Sequence, residues 1–363
     1  MREASVPMSG DEDHDAVTEL TPAMTSLLDG FRAGKVVSLA RAISVVEDER
    51  EGFQDLMHDV LQTGLSAARV GLTGPPGAGK SSLVALACAE YRARDEHVGV
   101  VAVDPSSPYS GGALLGDRIR MNDLTTDPGI FIRSMATRGS LGGLATTTKE
   151  VLDLMDAFGF DRVLVETVGV GQTELEITAA ADTVVVVLVP ESGDAIQAMK
   201  AGLMEIADVF VVNKADRPGS ARMVKDLRQA LHLRAGTALK DIPAHHGVDL
   251  SQAVGKEKAQ PPAVAGWSPP VLATVAQNGD GLPELLDAVD AHRSWLTESG
   301  ELEVRRRART RVRVQDIVDR ELRRAARRSQ HAHESLDAGV DRIHAGTETP
   351  YSLAREILGE LLR

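Results

Sequence analysis

Residues 74–81 read GPPGAGKS and follow directly on the apolar run Arg69–Thr73. A helix-favouring segment, Ser82–Arg94, comes next. A strand, a glycine-rich turn ending in Lys-Ser and a helix are typical of a phosphate-binding loop, where backbone N–H groups and the helix N-terminus surround a β-phosphate. Lys80 would bridge β- and γ-phosphate oxygens, and the Ser81 hydroxyl would bind Mg²⁺. We also expect the Lys80 side chain to face solvent until phosphate binds.

Short apolar runs rich in β-branched residues surround this loop and alternate with segments of helical length. Such runs are typical of parallel strands that are buried on both faces. The sequence therefore predicts an α/β fold with a doubly wound, mostly parallel sheet. The predicted strands are Arg69–Thr73, His97–Asp104, Arg162–Thr167, Thr183–Pro190, Val209–Asn213 and Pro270–Val275.

Helical extensions are predicted on both sides of the sheet. Apolar residues recur at helical spacing before it, and the predicted helices after it are Leu282–Leu296, Glu301–Arg328 and Pro350–Leu362. We divide the chain into a disordered tail (1–15), a helical segment (16–66), a P-loop domain (67–297) and a helical C-terminal arm (298–363).

Composition narrows the function classes. The 363 residues carry a formal net charge of -13, which disfavours nonspecific binding to nucleic acid. No apolar run approaches the roughly 18 residues of a membrane span, and the N-terminus lacks the features of a signal or transit peptide. We expect a cytoplasmic protein that does not bind membranes. The single cysteine, Cys88, excludes an intramolecular disulfide and a thiolate-rich metal site, and we interpret it as a core residue.

Two carboxylates are candidate Mg²⁺ ligands beside Ser81. Asp104 and Glu166 end apolar strands, and the carboxyl ends of parallel strands face the crevice where such sheets bind ligands. Each residue could instead cap the following helix, a more plausible role for Asp104 than for Glu166. Gly169, three residues after Glu166, would offer a backbone N–H to the γ-phosphate and act as a hinge.

The nucleotide base is predicted from residues 213–216, which read NKAD and follow an apolar strand. The Asp216 carboxylate can accept hydrogen bonds from guanine N1–H and from the exocyclic amino group, whereas adenine would leave the charge unpaired. The sequence therefore predicts GTP and GDP as ligands. The predicted nucleotide-binding residues are Gly74, Pro75, Pro76, Gly77, Ala78, Gly79, Lys80, Ser81, Ser82, Asn213, Lys214, Asp216, Thr274 and Ala276.

Three further segments resemble one family. They read ETVGVGQTE (166–174), VDPSS (103–107) and GDRIRM (116–121), and with the motifs above they resemble the methylmalonyl-CoA mutase-associated GTPases, the MeaB/ArgK family. The resemblance runs from about residue 20 to the C-terminus. It implies a P-loop GTPase of the SIMIBI type, usually a homodimer, that acts as chaperone to an adenosylcobalamin-dependent acyl-CoA mutase. The family gates cofactor loading and protects the mutase.

The same resemblance implies specific residues. Asp117 joins Ser81, Asp104 and Glu166 as a metal ligand, and the segment Glu191–Lys200, with Asp194, Gln197 and Lys200, relays the nucleotide state to the mutase. Small GTPases place a water-orienting Gln where this chain has Val170, so no general base is identified. We expect slow hydrolysis until a partner acts. The candidate catalytic residues are Lys80, Glu166, Gly169, Gln172 and Lys200.

Three other functions remain open from the residues. A metallochaperone GTPase would need a His- or Cys-rich site, which His245, His246, His331 and His333 do not clearly form. A kinase linked to basic amino-acid transport would prefer ATP. Nucleic-acid binding would use the eleven arginines of Arg305–Arg328. An apolar stripe on that helix favours a dimer-forming arm with a charged outer face. The sequence does not identify which acyl-CoA mutase is the partner.

Overall fold

A computed structural model of the chain describes residues 20–104, 124, 126–136, 146–167, 176–190, 202–237 and 266–361. Three helices come first: α1 (Pro22–Arg32), α2 (Val36–Glu47) and α3 (Phe53–Leu61). Thr21 caps α1, since its hydroxyl accepts a hydrogen bond from the Met24 N–H at 3.3 Å. The apolar faces of the three helices are buried in the same core as one face of the sheet.

Seven parallel strands form one sheet within the described residues. The strands are β1 (Ala68–Thr73), β2 (Val98–Asp104), β3 (Ile130–Ala136), β4 (Arg162–Thr167), β5 (Thr183–Leu188), β6 (Val209–Val212) and β7 (Val271–Ala273). Their order in the sheet is β3-β2-β4-β1-β5-β6-β7, so the strand that leads into the phosphate loop lies at the centre. The prediction of a doubly wound parallel sheet is confirmed.

Helices cover both faces of this sheet. The helices between the strands are α4 (Lys80–Ala93), α5 (Thr146–Phe158), α6 (Leu203–Ile206) and α7 (Ser220–Thr237), and α8 (Leu282–Ser299) follows the last strand. One face of the sheet packs on α4 and α8 through side chains such as Leu83, Leu286 and Val289, and the other packs on α5 and the N-terminal helices. A short 3₁₀ turn, Ile177–Ala179, also lies against β1.

The chain ends in three helices, α9 (Glu301–Arg328), α10 (Gln330–His344) and α11 (Pro350–Leu361). No residue of α9 is buried. The predicted orientation of α9, with the charges outward, is wrong for six arginines, because they turn inward and pair with carboxylates of other elements. Four valines and one leucine of α9 are exposed instead. The inward arginines are Arg305, Arg306, Arg309, Arg313, Arg320 and Arg324.

Two elements were not predicted. The strand β3 reads IFIRSMA, and it lies at the edge of the sheet, where Arg133 and Ser134 are only half-buried. An edge strand lacks the continuous apolar run by which the other strands are recognised. The helix α10 follows α9 after one residue, Ser329, whose hydroxyl accepts a hydrogen bond from the Ala332 N–H.

Candidate functional site

The phosphate loop joins β1 to α4 at the centre of the sheet. Gly74 has a φ of +134°, and a Cβ added there would lie 2.0 Å from the Val187 carbonyl oxygen of β5. Gly79 has a φ of +89°, and an added Cβ would lie 2.3 Å from Asn213 Nδ2. Because both positions combine a left-handed backbone with a close neighbour, only glycine fits them. The loop is therefore held tightly at its two ends.

Lys80 is the first residue of α4, and its side chain is only 5% exposed. Its ammonium group donates hydrogen bonds to the carbonyl oxygens of Gly74 at 2.8 Å and Pro75 at 3.0 Å. The prediction that Lys80 faces solvent until phosphate binds is wrong, because the loop carbonyls hold the ammonium group. The Lys80 side chain therefore folds back onto the first residues of the phosphate loop.

Ser81 and Glu166 meet at the same end of the sheet. The Ser81 hydroxyl donates to Glu166 Oε1 at 2.6 Å, and both residues are buried. A hydroxyl and a carboxylate are oxygen donors of the kind that Mg²⁺ prefers, so these residues fit the predicted ion. Asp104 is the last residue of β2, which pairs with β4. The side chain of Asp104 lies outside the described part of the chain. Asp117 lies outside the described residues.

Asn213 connects three parts of the site. Its Nδ2 donates to the Ala78 carbonyl of the phosphate loop at 2.7 Å, and its Oδ1 accepts from the Thr274 hydroxyl and the Ala276 N–H, both at 3.1 Å. The residue is 1% exposed. The sequence predicts Asn213 and Thr274 as base-binding residues but does not predict this bridge, since 135 positions separate Asn213 from Ala78. The loop predicted to bind the base is therefore hydrogen-bonded to the phosphate loop.

The rest of the NKAD motif is more accessible. Lys214 adopts a left-handed backbone with a φ of +57°, and the Ala215 N–H donates to the Thr274 carbonyl at 3.0 Å. Asp216 is exposed, so its carboxylate can receive a ligand. A left-handed conformation is uncommon for a residue other than glycine and is concentrated at functional sites. This left-handed residue directly follows Asn213, which bonds to the phosphate loop.

Three predicted catalytic residues, Gly169, Gln172 and Lys200, lie outside the described residues, as does the whole segment Glu191–Lys200. In the phosphate loop, Pro76 and Gly77 are exposed, and Ser82 is exposed on the first turn of α4. The residues that the structure brings together are thus the phosphate loop with Lys80 and Ser81, Glu166, and the loops around Asn213 and Thr274.

A parallel sheet whose central strand feeds a GKS loop, with an NKAD loop bonded to that loop, defines a P-loop GTPase that binds GTP and GDP and hydrolyses GTP. The chain matches the family described as methylmalonyl Co-A mutase-associated GTPase MeaB over residues 39–331. It belongs to that family.

Individual relatives agree with this membership. A Pyrococcus abyssi protein that carries a GTPase name is 42% identical over 336 residues, covering 93% of this chain and 96% of the relative. A Mus musculus protein named methylmalonic aciduria type A homolog, mitochondrial, is 33% identical over 306 residues, or 80% of this chain and 68% of the relative. A crystal structure of a LAO/AO transport system kinase shares the fold, with a TM-score of 0.63 and 24% identity. The match covers 95% of this chain and 100% of the kinase chain.

Within the described parts of the chain, no group of three or more His, Cys, Asp or Glu side chains is arranged to hold a metal ion. Cys88 is buried, and burial raises the pKa of its thiol to about 12, which agrees with its predicted place in the core. None of the helices in those parts has both the length and the apolar character needed to cross a membrane.

Proposed function

We propose that this GTPase is a chaperone of an adenosylcobalamin-dependent acyl-CoA mutase of the methylmalonyl-CoA mutase type. It would couple GTP hydrolysis to cofactor loading and to protection of the mutase. The observation that carries the proposal is family membership across residues 39–331, a range that includes the whole nucleotide site. The family is described by its association with this mutase, and the mouse relative is named for methylmalonic aciduria.

The chemistry would be divided among few residues. Lys80 would leave the carbonyls of Gly74 and Pro75 for the β- and γ-phosphate oxygens, while backbone N–H groups of residues 74–82 would bind the rest of the phosphates. Ser81, Glu166, Asp104 and Asp117 would hold Mg²⁺. The ion would neutralise charge that develops on the phosphates during transfer. Asp216 would select guanine, and the bridge through Asn213 would keep base and phosphates in register.

The group that activates the attacking water would be ordered only when the partner mutase binds. Val170 stands where small GTPases carry a water-orienting Gln. We therefore propose that Gly169, Gln172 and Lys200 complete the catalytic group and that the partner mutase orders them. In this scheme basal hydrolysis is slow and the segment Glu191–Lys200 reports the nucleotide state to the mutase.

We also propose a homodimer formed through the outer face of α9. Val314, Val318 and Leu322 follow each other at spacings of four and are 55%, 50% and 46% exposed. Three apolar side chains in a row on one helix face favour packing against another apolar surface. The inward arginines hold the opposite face of α9 to the GTPase domain, which leaves this face available.

The test is to measure GTP turnover with and without purified methylmalonyl-CoA mutase and related acyl-CoA mutases. The cognate mutase should raise turnover about ten-fold or more, a barrier change of about 1.4 kcal/mol. Alanine at Asp194, Gln197 and Lys200 together should remove the stimulation and spare much of the basal rate. Binding must be reciprocal, so the nucleotide that tightens the complex should itself bind more tightly in it. Identical turnover and affinity with every mutase would leave a GTPase without this chaperone role.

A further inference from the structure

Two threonines lie side by side beneath the phosphate site. Thr73 ends β1 and Thr167 ends β4, and their hydroxyl oxygens are 2.9 Å apart in a hydrogen bond. Both residues are fully buried. The bond therefore joins the carboxyl ends of two central strands where each strand leaves the sheet.

Each threonine is next to a residue with a proposed role. Thr73 precedes Gly74, whose carbonyl accepts from Lys80, and Thr167 follows Glu166, whose carboxylate accepts from Ser81. The pairing of the two strands extends to Leu72 opposite Glu166. Because side chains alternate along a strand, the threonine pair lies on the opposite face of the sheet from Glu166. It supports the site from the face of the sheet opposite to the Glu166–Ser81 hydrogen bond.

We propose that Thr73 and Thr167 are positioning residues for the Mg²⁺ end of the site. Their hydrogen bond fixes the last residues of β1 and β4 relative to each other. It thereby sets where the Glu166 carboxylate stands with respect to Ser81 on α4. This role rests on the proposed function, in which Ser81 and Glu166 hold Mg²⁺.

Stability and positioning can be separated chemically. Thr→Val keeps the shape of the side chain but removes the hydroxyl. One such change leaves the other hydroxyl buried without its partner, at a cost of about 1–3 kcal/mol, while replacing both can be nearly neutral for folding. Thr73→Val with Thr167→Val therefore removes the bond with little loss of stability. A purely structural pair would leave Mg²⁺ binding unchanged in that double variant.

The experiment measures GDP affinity in EDTA and across a Mg²⁺ titration, together with kcat and KM for GTP. We expect the double variant to need about five-fold more Mg²⁺ for half-maximal tightening of GDP, equivalent to about 1 kcal/mol. GDP affinity in EDTA should stay at the wild-type value. The GTPase readout should show a loss in kcat rather than a rise in KM. Thr167→Ser, which keeps the hydroxyl, should restore the Mg²⁺ response of Thr167→Val.

A matched control is Thr183→Val. Thr183 is also buried on a central strand, and its hydroxyl bonds to His292 Nδ1 at 2.9 Å, but it lies at the opposite end of the sheet. Its variant should lose stability and keep the wild-type Mg²⁺ response. Glu166→Gln is the reference for loss of the ion. If Glu166→Gln weakens the response and the double valine variant does not, the positioning role is wrong and the metal assignment stands. If neither changes it, both fail.

Should the double variant bind no GDP in EDTA, Thr167→Val and Thr167→Ser decide the question. Equal Mg²⁺ responses in these two single variants would overturn the proposal. A weakened response in Thr167→Val that Thr167→Ser reverses would support it, because the two variants differ in the hydroxyl that makes the bond.

Discussion

Single side chains fix the backbone segments of this site to one another. Asn213 bonds to the phosphate loop and to the loop after β7, and Lys80 bonds to two carbonyls at the start of its own loop. Such residues act twice, because they shape the protein and are also predicted to bind the ligand. A variant at either position must be tested for folding before a change in activity is assigned to chemistry.

Lys80→Ala should lower GTP hydrolysis by about 10²-fold or more, because it removes a cation aimed at charge that develops on the phosphates. The fold should persist, with a loss of about 1–3 kcal/mol for the hydrogen bonds to Gly74 and Pro75. Single-turnover kinetics measure the first effect, and circular dichroism with urea unfolding measures the second. Wild-type turnover in the folded variant would remove Lys80 from the mechanism.

Asp216→Asn should weaken GTP binding and shift the preference toward xanthosine triphosphate. The new amide can donate to the extra carbonyl of xanthine, while the guanine N1–H and amino group lose their shared acceptor. Competition binding with GTP, xanthosine triphosphate and ATP measures the change. Since Asp216 is exposed, the variant should fold normally. Unchanged affinity for guanine would place the base site elsewhere.

At the scale of elements, charge rather than apolar packing fixes α9. Arg305 binds Asp208 with two hydrogen bonds of 2.9 and 3.0 Å, and Arg306 and Arg309 bind Asp182. Both aspartates are almost fully buried immediately before β5 and β6. Because buried carboxylates need partners, these arginines satisfy charges that the core could not otherwise contain. Six of the eleven arginines of α9 are thus explained by carboxylates of other elements of the same chain.

Arg305→Ala should lower the free energy of unfolding by about 2–3 kcal/mol, since it leaves the Asp208 carboxylate without its main cation. The estimate is at the lower end for a broken ion pair because Arg305 keeps some exposure. Arg307→Ala is the matched control, as Arg307 pairs with Glu303 on the exposed side of the same helix. Its effect should stay within about 0.5 kcal/mol. Equal urea midpoints for the two variants would contradict this account of α9.

His292 should make stability depend on pH. Its fully buried ring bonds to Thr183 and lies 3.2 Å from Asp208. Burial lowers the pKa of His292 to about 4, an effect that Asp208 opposes and Arg305 adds to. The unfolded chain, with a His pKa near 6.5, takes up a proton that the folded chain refuses, so stability falls as pH drops from about 6.5 to 4.

The loss assigned to His292 is at most about 3 kcal/mol. Thermal unfolding at several pH values in that window measures it, and His292→Asn should flatten the profile there. Parallel profiles for wild type and His292→Asn would exclude the His292 contribution.

Asp182 affects stability in a different pH range from His292. Burial would raise the pKa of Asp182, but Arg309 and Arg306 outweigh burial and lower it to about 2. The contribution of Asp182 to stability is therefore lost only as pH falls below about 4.

The sequence predicts elements well where local pattern and burial agree. Strands such as Arg162–Thr167 are apolar and central, so they could be placed from the residues. The GKS and NKAD motifs could be placed as well, because each follows the carboxyl end of an apolar strand. The edge strand β3 could not, because Arg133 and Ser134 interrupt its apolar run and are only half-buried. The direction of the α9 arginines also could not, since it depends on Asp182 and Asp208, which lie 97 to 127 positions before their arginine partners.

At the scale of the whole molecule, the core and the terminal helices divide the tasks. The sheet positions the nucleotide loops at its carboxyl end, whereas the first turns of α9 are attached to Asp182 and Asp208 at the opposite end. Further along α9, Arg313 and Arg320 pair with Asp153 and Glu150, so the helix continues beside α5. Its outer face carries the exposed apolar row of the proposed dimer.

The proposed dimer gives the last prediction. Val318→Asp with Leu322→Asp places two carboxylates in the centre of the exposed apolar row of α9, where they would be desolvated in a dimer but remain solvated in a monomer. The double variant should therefore be monomeric at concentrations where the wild type sediments as a dimer. Its unfolding free energy in the monomeric state should change little, because neither side chain is buried within one chain.

Val37→Asp is the control for this experiment. Val37 lies on α2 and is 64% exposed, so the substitution adds one carboxylate to a comparably exposed apolar position away from α9. It should leave the sedimentation coefficient of the wild type unchanged. A dimer that survives the α9 substitutions and dissociates with Val37→Asp would move the interface to α2. Basal GTP turnover in the α9 variant then shows whether association contributes to the site, and we expect it to stay near the wild-type rate because neither substituted residue belongs to the nucleotide site.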